Sequence, residues 1–172
     1  PEWGEDMPPA ASPELPRTTS HGAAAVYMPA CINRIFGRSK DDPGMSLPQA
    51  MVEVSARAGK PVWIPPDITG TCCSVPWDSK GYRSAHEFKA NQTVERIWRW
   101  TGGGTLPLLI DASSCGHGLL DFGEGVLSEE NAARHAELNI IDSVQWAEDF
   151  LLPGLEVTRK ADSVTVHPTC SG

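Results

Sequence analysis

The stretch Thr71-Cys72-Cys73-Ser74-Val75-Pro76 places two adjacent cysteines in a loop that follows a short apolar run. Adjacent cysteines close an unstrained disulfide poorly, because the bridge needs Cα atoms that lie farther apart than those of neighbouring residues. Two reduced thiols side by side are better suited to bind one inorganic centre. We therefore interpret this stretch as the core of a metal or iron–sulfur site around which the chain is organised.

The other cysteines occupy comparable places, because each follows an apolar run that ends in a turn. Five cysteines in 172 residues are an odd and sparse set for a disulfide scaffold, and a chain of this length can build a hydrophobic core without them. The thiols are therefore expected to be reduced, which favours a cytoplasmic protein. The competing interpretation is that they are buried structural thiols.

Short apolar runs predict the strands, and these alternate with segments of helical periodicity. The predicted strands are residues 23–28, 61–64, 106–110 and 163–166, with a further short strand at 138–141. This alternation predicts an α/β fold with a mainly parallel sheet flanked by helices. Sites in such sheets form at the carboxyl ends of the strands, and the cysteines follow those ends. We expect Cys31, Cys72, Cys73 and Cys115 to converge at one edge of the sheet.

Polar residues before apolar periodic segments predict where helices begin. Four residues are predicted to start or cap helices: Ser46, Ser84, Ser128 and Asp142. Gln49 completes a capping-box pattern with the first of these, and Glu87 completes one with the second. The helix that the second pattern opens is expected to run to about Trp100.

Two glycine-rich segments are predicted to be irregular. The run 102–104 is interpreted as a turn, because it follows a helix and precedes a strand, the reverse of a phosphate-binding loop. Residues 111–118, DASSCGHG, are predicted to form a loop of small residues that lets the backbone approach a ligand. Gly116 and Gly118 are predicted to supply backbone N–H groups there.

Composition limits the classes of partner. The formal net charge is -8, which argues against a nucleic-acid-binding protein. No apolar run is long enough to span a bilayer, and no signal peptide precedes the first one. The chain begins at Pro1, so we expect it to be a piece of a larger protein.

Three parts of the chain differ in composition. Residues 1–20 are rich in Pro, Ser and acidic residues and are predicted to be a linker. Residues 21–160 form the predicted cysteine-rich domain. Residues 161–172 include VTVHPTC, which is weakly similar to AVYMPAC near the start of the domain. We interpret this segment as the start of a truncated second repeat, with Cys170 as the first ligand of a second site.

At these residues the chain resembles the cysteine-rich CCG domain family, in particular the C-terminal region of FAD-linked oxidoreductases of the D-lactate dehydrogenase and glycolate oxidase type. The resemblance lies in four stretches: YMPACINRIFG, PVWIPPDITGTCCSVPWDSKGY, LLIDASSCGHGLL and SVTVHPTCSG. The cysteine-rich chain of the heterodisulfide reductases belongs to the same family. Two positions depart from the pattern: Ser74 stands where the motif has glycine, and Gly118 stands where those reductases have a further cysteine.

The resemblance implies an electron-transfer role in a larger oxidoreductase that acts on a 2-hydroxy acid. It implies a [4Fe–4S] cluster on Cys31, Cys72, Cys73 and Cys115, with FAD bound elsewhere in the parent protein. The implied partners are FAD-binding and ferredoxin-like domains and an unidentified electron acceptor, in the cytoplasm or at a membrane through the parent complex. This fragment carries no flavin- or substrate-binding signature, so we do not expect activity from it alone.

Two other functions are open at the level of sequence. The same four thiolates could hold zinc in a structural site, with His117 as a substitute ligand. Alternatively, the vicinal pair could react with a disulfide substrate, which would need a nearby cation such as Lys80 or Arg83.

Four residues are predicted to lie beside the cysteine ligands: Arg34, Trp77, Gly116 and His117. Arg34 would donate to an anionic centre, and Trp77 would shield it from water.

Overall fold

The computed structural model describes residues 4, 7–38, 44–158 and 161–165. Its centre is a four-stranded, fully parallel sheet with the strand order β2-β1-β3-β4. The strands are β1 (Ala25–Met28), β2 (Val62–Trp63), β3 (Leu108–Ile110) and β4 (Ile140–Asp142). The predicted α/β class is therefore confirmed. The strand predicted at 163–166 is wrong for residues 163–165, which are irregular, and Val166 lies outside the described residues.

The two central strands are the most deeply buried part of the molecule. Every residue of β1 and β3 is buried, with no alternation between apolar and polar positions. Continuous apolar runs of this kind are typical of parallel strands that are covered on both faces. The helices that cover them lie in the connections between strands, as a parallel pair requires.

The helices are α1 (Cys31–Ile35), α2 (Leu47–Arg57), α3 (Val75–Asp78), α4 (Arg83–Trp100), α5 (Ser113–Leu120), α6 (Glu129–Ala136) and α7 (Ser143–Trp146). A π-helical turn (Ala147–Leu151) and a 3₁₀ turn (Leu152–Gly154) follow α7. In the described part of the chain, no helix is long and apolar enough to cross a bilayer.

Three of the four predicted helix starts are confirmed by their capping bonds. The Ser46 hydroxyl accepts from the Gln49 backbone amide in a complete capping box, and Ser128 and Asp142 cap α6 and α7.

The start predicted at Ser84 is wrong, since α4 already begins at Arg83. The Glu87 carboxylate accepts a hydrogen bond from the Arg83 side chain, at 2.8 Å from Nε. It therefore pairs with a side chain of its own helix instead of accepting from a backbone amide at the helix start.

The predicted linker lies against the domain over part of its length. Ala10 forms an isolated antiparallel bridge with Phe36, and Leu15 packs against the core. The Ile64 amide donates to the Thr18 hydroxyl at 2.8 Å. These contacts bring residues 10–18 across the carboxyl edge of the sheet, beside α1 and the segment that follows β2.

Candidate functional site

The four cysteines named from the sequence lie at the carboxyl edge of the sheet. Cys31 is the first residue of α1, just after β1. Cys72 and Cys73 immediately precede Ser74 and α3, on the segment that leaves β2. Cys115 lies in the first turn of α5, after β3. Three separate crossover segments thus supply the thiols, as the parallel topology predicts. Cys170 lies outside the described residues.

The four sulfurs form a closed set of contacts. Cys73 Sγ lies 3.2 Å from Cys115 Sγ. The Cys31 thiol is hydrogen-bonded to both Cys115 and Cys72, and Cys72 is also hydrogen-bonded to Cys73. All four cysteines are free. Each sulfur therefore has two sulfur neighbours, and the two cysteines of the vicinal pair occupy adjacent places in the ring.

Burial differs between the two sides of this ring. Cys73 and Cys115 are buried, with 2 % and 7 % of their surfaces exposed. Cys31 and Cys72 are half-buried and line a cleft of about 420 Å³, which Leu15, Ile68 and other residues complete. One side of the thiol set is therefore closed by the core, whereas the other faces a solvent-accessible opening.

Hydrogen bonds among the sulfurs lower the pKa of two of the thiols and raise the pKa of the other two. Hydrogen bonds from Cys115 and then Cys72 lower the pKa of Cys31 to about 2, and the same two partners lower the pKa of Cys73 to about 3. The pKa values of Cys72 and Cys115 are raised, first by their hydrogen bonds to Cys31, then by those to Cys73 and by burial. Negative charge is thus favoured at alternate positions of the ring.

Backbone amides also donate to the sulfurs. The Ile32 amide donates to Cys31, the Ser74 amide to Cys72 and the Val75 amide to Cys73, and each bond lowers the pKa of its thiol. Such donors stabilise the thiolate form that metals require. The amide expected from Gly116 is engaged elsewhere, because it donates to the Ala112 carbonyl at 2.9 Å within α5.

The small-residue loop predicted at 111–118 is wrong, because residues 113–120 form the helix α5. Close packing explains why glycine is needed within this helix. A Cβ atom on Gly118 would lie 2.1 Å from Val75 Cγ2, so a larger residue would force either the Val75 side chain or α5 to shift. Tertiary packing therefore outweighs the low helix propensity of glycine and brings Cys115 against Cys73.

Arg34 connects two of the cysteine segments. Its guanidinium donates to the carbonyl oxygens of Pro29 at 3.0 Å, Ile68 at 3.3 Å and Thr71 at 2.6 Å. The first of these lies just before Cys31, and the last immediately precedes Cys72. The positive charge of Arg34 also contributes to the low pKa of Cys31. The residue therefore has a structural role beside its electrostatic effect on Cys31, and its predicted donation to an anionic centre stays a prediction.

Asp111 connects the Cys31 segment to the Cys115 segment, and the sequence reasoning assigned it no role. Its buried carboxylate accepts from the Tyr27 hydroxyl at 2.5 Å and from the Ala30 amide at 2.7 Å. Burial raises the pKa of Tyr27, and the neighbouring charge of Asp111 raises it further. The signal was present, since an aspartate directly follows a fully apolar strand, where it must find hydrogen-bond donors.

Helix α4 holds the Cys72 segment in place, a second feature missed from the sequence. The Thr93 hydroxyl donates to the Cys72 carbonyl at 2.8 Å. Arg96 Nη1 donates to the Thr71 hydroxyl at 2.7 Å and to the Thr69 carbonyl at 3.1 Å. These side chains project from successive positions along one face of α4, and no local motif marks them.

Two predicted neighbours of the site lie apart from the sulfurs. Trp77 is 40 % exposed, and its ring contacts Tyr82 edge-on. His117 is exposed, because two residues along a helix from Cys115 correspond to the opposite face. Within the described ranges, the hydrogen bonds and ring contacts connect neither side chain to the thiols. The expected shielding by Trp77 therefore has no contact to support it.

The donor set fits a thiolate-bound metal centre in its chemistry, but its sulfurs are too close together. Across the described ranges, no group of three or more His, Cys, Asp or Glu side chains has the spacing of a metal site. Two thiolates of a tetrahedral zinc site lie about 3.8 Å apart, as a Zn–S bond of about 2.3 Å requires. The 3.2 Å contact between Cys73 and Cys115 is shorter, so bound metal would require the sulfurs to move apart.

Comparison of the chain with protein-family models, curated protein sequences and solved structures gives no match. The resemblance to the CCG family therefore stays a prediction from the sequence.

Proposed function

We propose that the domain binds one [4Fe–4S] cluster through Cys31, Cys72, Cys73 and Cys115 and relays electrons in a larger oxidoreductase. The observation that carries this proposal is the closed ring of four free thiols, assembled from three crossover segments at one edge of a parallel sheet. Thiolates are the ligands that iron–sulfur clusters use. Four of them, with no fifth cysteine in the ring, match a cluster of the conventional kind.

The surrounding residues support an anionic centre. The three backbone donors and the Arg34 guanidinium stabilise negative charge on the sulfurs, since each of them lowers the pKa of the thiol it acts on. When bound, the cluster would supply a one-electron redox couple. The buried positions of Cys73 and Cys115 keep water from one side of the site, whereas the cleft beside Cys31 and Cys72 offers an approach for a redox partner.

In the parent protein we propose that electrons come from a FAD-binding domain that oxidises a 2-hydroxy acid, by way of a ferredoxin-like segment. The free thiols are consistent with the reducing environment of the cytoplasm.

Structural zinc binding is the second candidate, and a specific observation favours it. The sulfurs are already close, and a small separation would bring the 3.2 Å contact to the edge length of a zinc tetrathiolate. A cluster requires a wider separation, because its four cysteines ligate different iron atoms. The two proposals therefore differ in how far the cysteine segments must open.

Anaerobic reconstitution distinguishes these candidates. The full chain is incubated with iron and sulfide, or with zinc, and analysed for bound metal and for the EPR signal of the dithionite-reduced state. The cluster proposal predicts stoichiometric iron and sulfide with an EPR signal that Cys73→Ser abolishes and the control Cys170→Ser retains. Tight zinc binding together with no cluster signal at full iron loading would instead support the zinc site.

A further inference from the structure

Ser74 combines two unfavourable features next to the thiol ring. Among the described residues it is the only non-glycine residue with a positive φ, at 69°. This left-handed conformation is sterically disfavoured for residues that carry a Cβ atom. Ser74 is also fully buried, and its hydroxyl has no hydrogen-bond partner within the described residues. A backbone outlier and an unsatisfied buried hydroxyl in one residue indicate a functional constraint.

Ser55 shows how a buried serine is normally accommodated in this fold. It is equally inaccessible, but its hydroxyl accepts from Trp146 Nε1 at 3.1 Å. Two buried threonine hydroxyls beside the Cys72 segment also have partners. The Thr71 hydroxyl accepts from Arg96 Nη1 at 2.7 Å, and the Thr93 hydroxyl donates to the Cys72 carbonyl at 2.8 Å. The missing partner of Ser74 is therefore not a general feature of buried hydroxyls here.

The backbone of Ser74 is fixed against the ring. Its amide donates to the Cys72 sulfur, and its carbonyl accepts from the Trp77 amide at 2.9 Å. The hydroxyl oxygen is three bonds from that amide nitrogen, and within the described residues it makes no hydrogen bond to any of the four sulfurs. With the backbone held at both ends, the hydroxyl can change its direction only by rotation about the Cα–Cβ bond.

We propose that the Ser74 hydroxyl donates a hydrogen bond to the anionic iron–sulfur group that the four thiolates hold. This proposal rests on the proposed function. The acceptor is a sulfur atom of the bound cluster, which would supply the partner that the polypeptide lacks. Ser74 then contacts the cluster directly and slows its loss, and it tunes the cluster because hydrogen bonds to cluster sulfurs raise the reduction potential.

The test compares the reconstituted full chain with Ser74→Ala, Ser74→Gly and the control Ser55→Ala. We expect the two Ser74 variants to bind the same amount of iron as the wild type, with a lower midpoint potential and altered EPR g values. Loss of iron to a chelator should be roughly two- to tenfold faster, as expected for one net hydrogen bond. Ser55→Ala should leave the potential, the EPR spectrum and the rate of iron loss unchanged.

Melting of the metal-free proteins separates this role from a structural one. Ser55→Ala should lower the melting temperature, because it leaves the Trp146 N–H without its partner, whereas Ser74→Ala should not. Identical potentials and loss rates for Ser74→Ala, Ser74→Gly and the wild type would overturn the role of Ser74 alone. Failure of the wild type to take up iron would overturn the proposed function and the role of Ser74 with it.

Discussion

The centre of the sheet and its carboxyl edge follow different rules. In β1 and β3 every side chain is buried and the chain is regular. At the edge, a few residues away, lie four free thiols, a left-handed serine and a buried carboxylate. Irregular conformations and buried polar groups tend to collect where they serve function. The centre therefore accounts for stability, whereas the edge holds the groups on which the proposed function depends.

The largest expected effect is on the centre. Leu109→Ala should lower the free energy of unfolding by about 2–5 kcal/mol, because it leaves a cavity in the middle of the sheet. Chemical denaturation measures the change, with the 61 % exposed Leu120 changed to Ala as the control. A loss under about 1 kcal/mol for Leu109→Ala would remove the distinction between centre and edge.

Asp111 lies where the two regions meet, so its removal should affect both. Asp111→Ala should lower the free energy of unfolding by about 1–3 kcal/mol, since the Tyr27 hydroxyl and the Ala30 amide lose their acceptor. Asp111→Asn, which keeps one oxygen, should be milder. The exposed Asp121→Ala serves as the control. Iron retention should fall together with stability, and an Asp111→Ala variant with wild-type values of both would contradict the connecting role of Asp111.

Removal of Arg34 should affect the edge of the sheet more than the stability of the fold. Arg34→Gln should lower the free energy of unfolding by only about 1 kcal/mol, because its bonds to carbonyl oxygens are at a partly exposed site. It should nevertheless speed iron loss, since the Cys31 and Cys72 segments are no longer tied together. Arg57→Gln, at an exposed pair with Glu53, provides the matched control. Equal rates of iron loss in the two variants would assign Arg34 to stability alone.

The sequence predicted the position of the site better than its local structure. The topology of the sheet explains why four cysteines converge, because parallel strands present their carboxyl ends at one edge. These are Cys31, Cys72, Cys73 and Cys115. The helix α5 was missed, since glycines disfavour a helix in isolation, and the packing of Gly118 against Val75 is visible only in the folded chain.

The residues that hold the cysteine segments were harder to predict. Arg34 was expected to act on a bound anion, but it donates to carbonyl oxygens, two of which belong to residues more than thirty positions away in the chain. The same applies to Thr93 and Arg96, whose partners precede them by more than twenty residues. Contacts of this kind depend on how α4 lies over the Cys72 segment, and no short sequence pattern records that placement.

Native mass spectrometry of the anaerobically reconstituted full chain shows directly whether the four thiols share one cluster. We expect one added mass of four irons and four sulfides per chain, absent from Cys31→Ser, Cys73→Ser and Cys115→Ser and present in Cys170→Ser. A wild-type chain that remains at its metal-free mass, or a cluster that survives the loss of Cys31 and Cys115 alike, would contradict a single site shared by the four thiols.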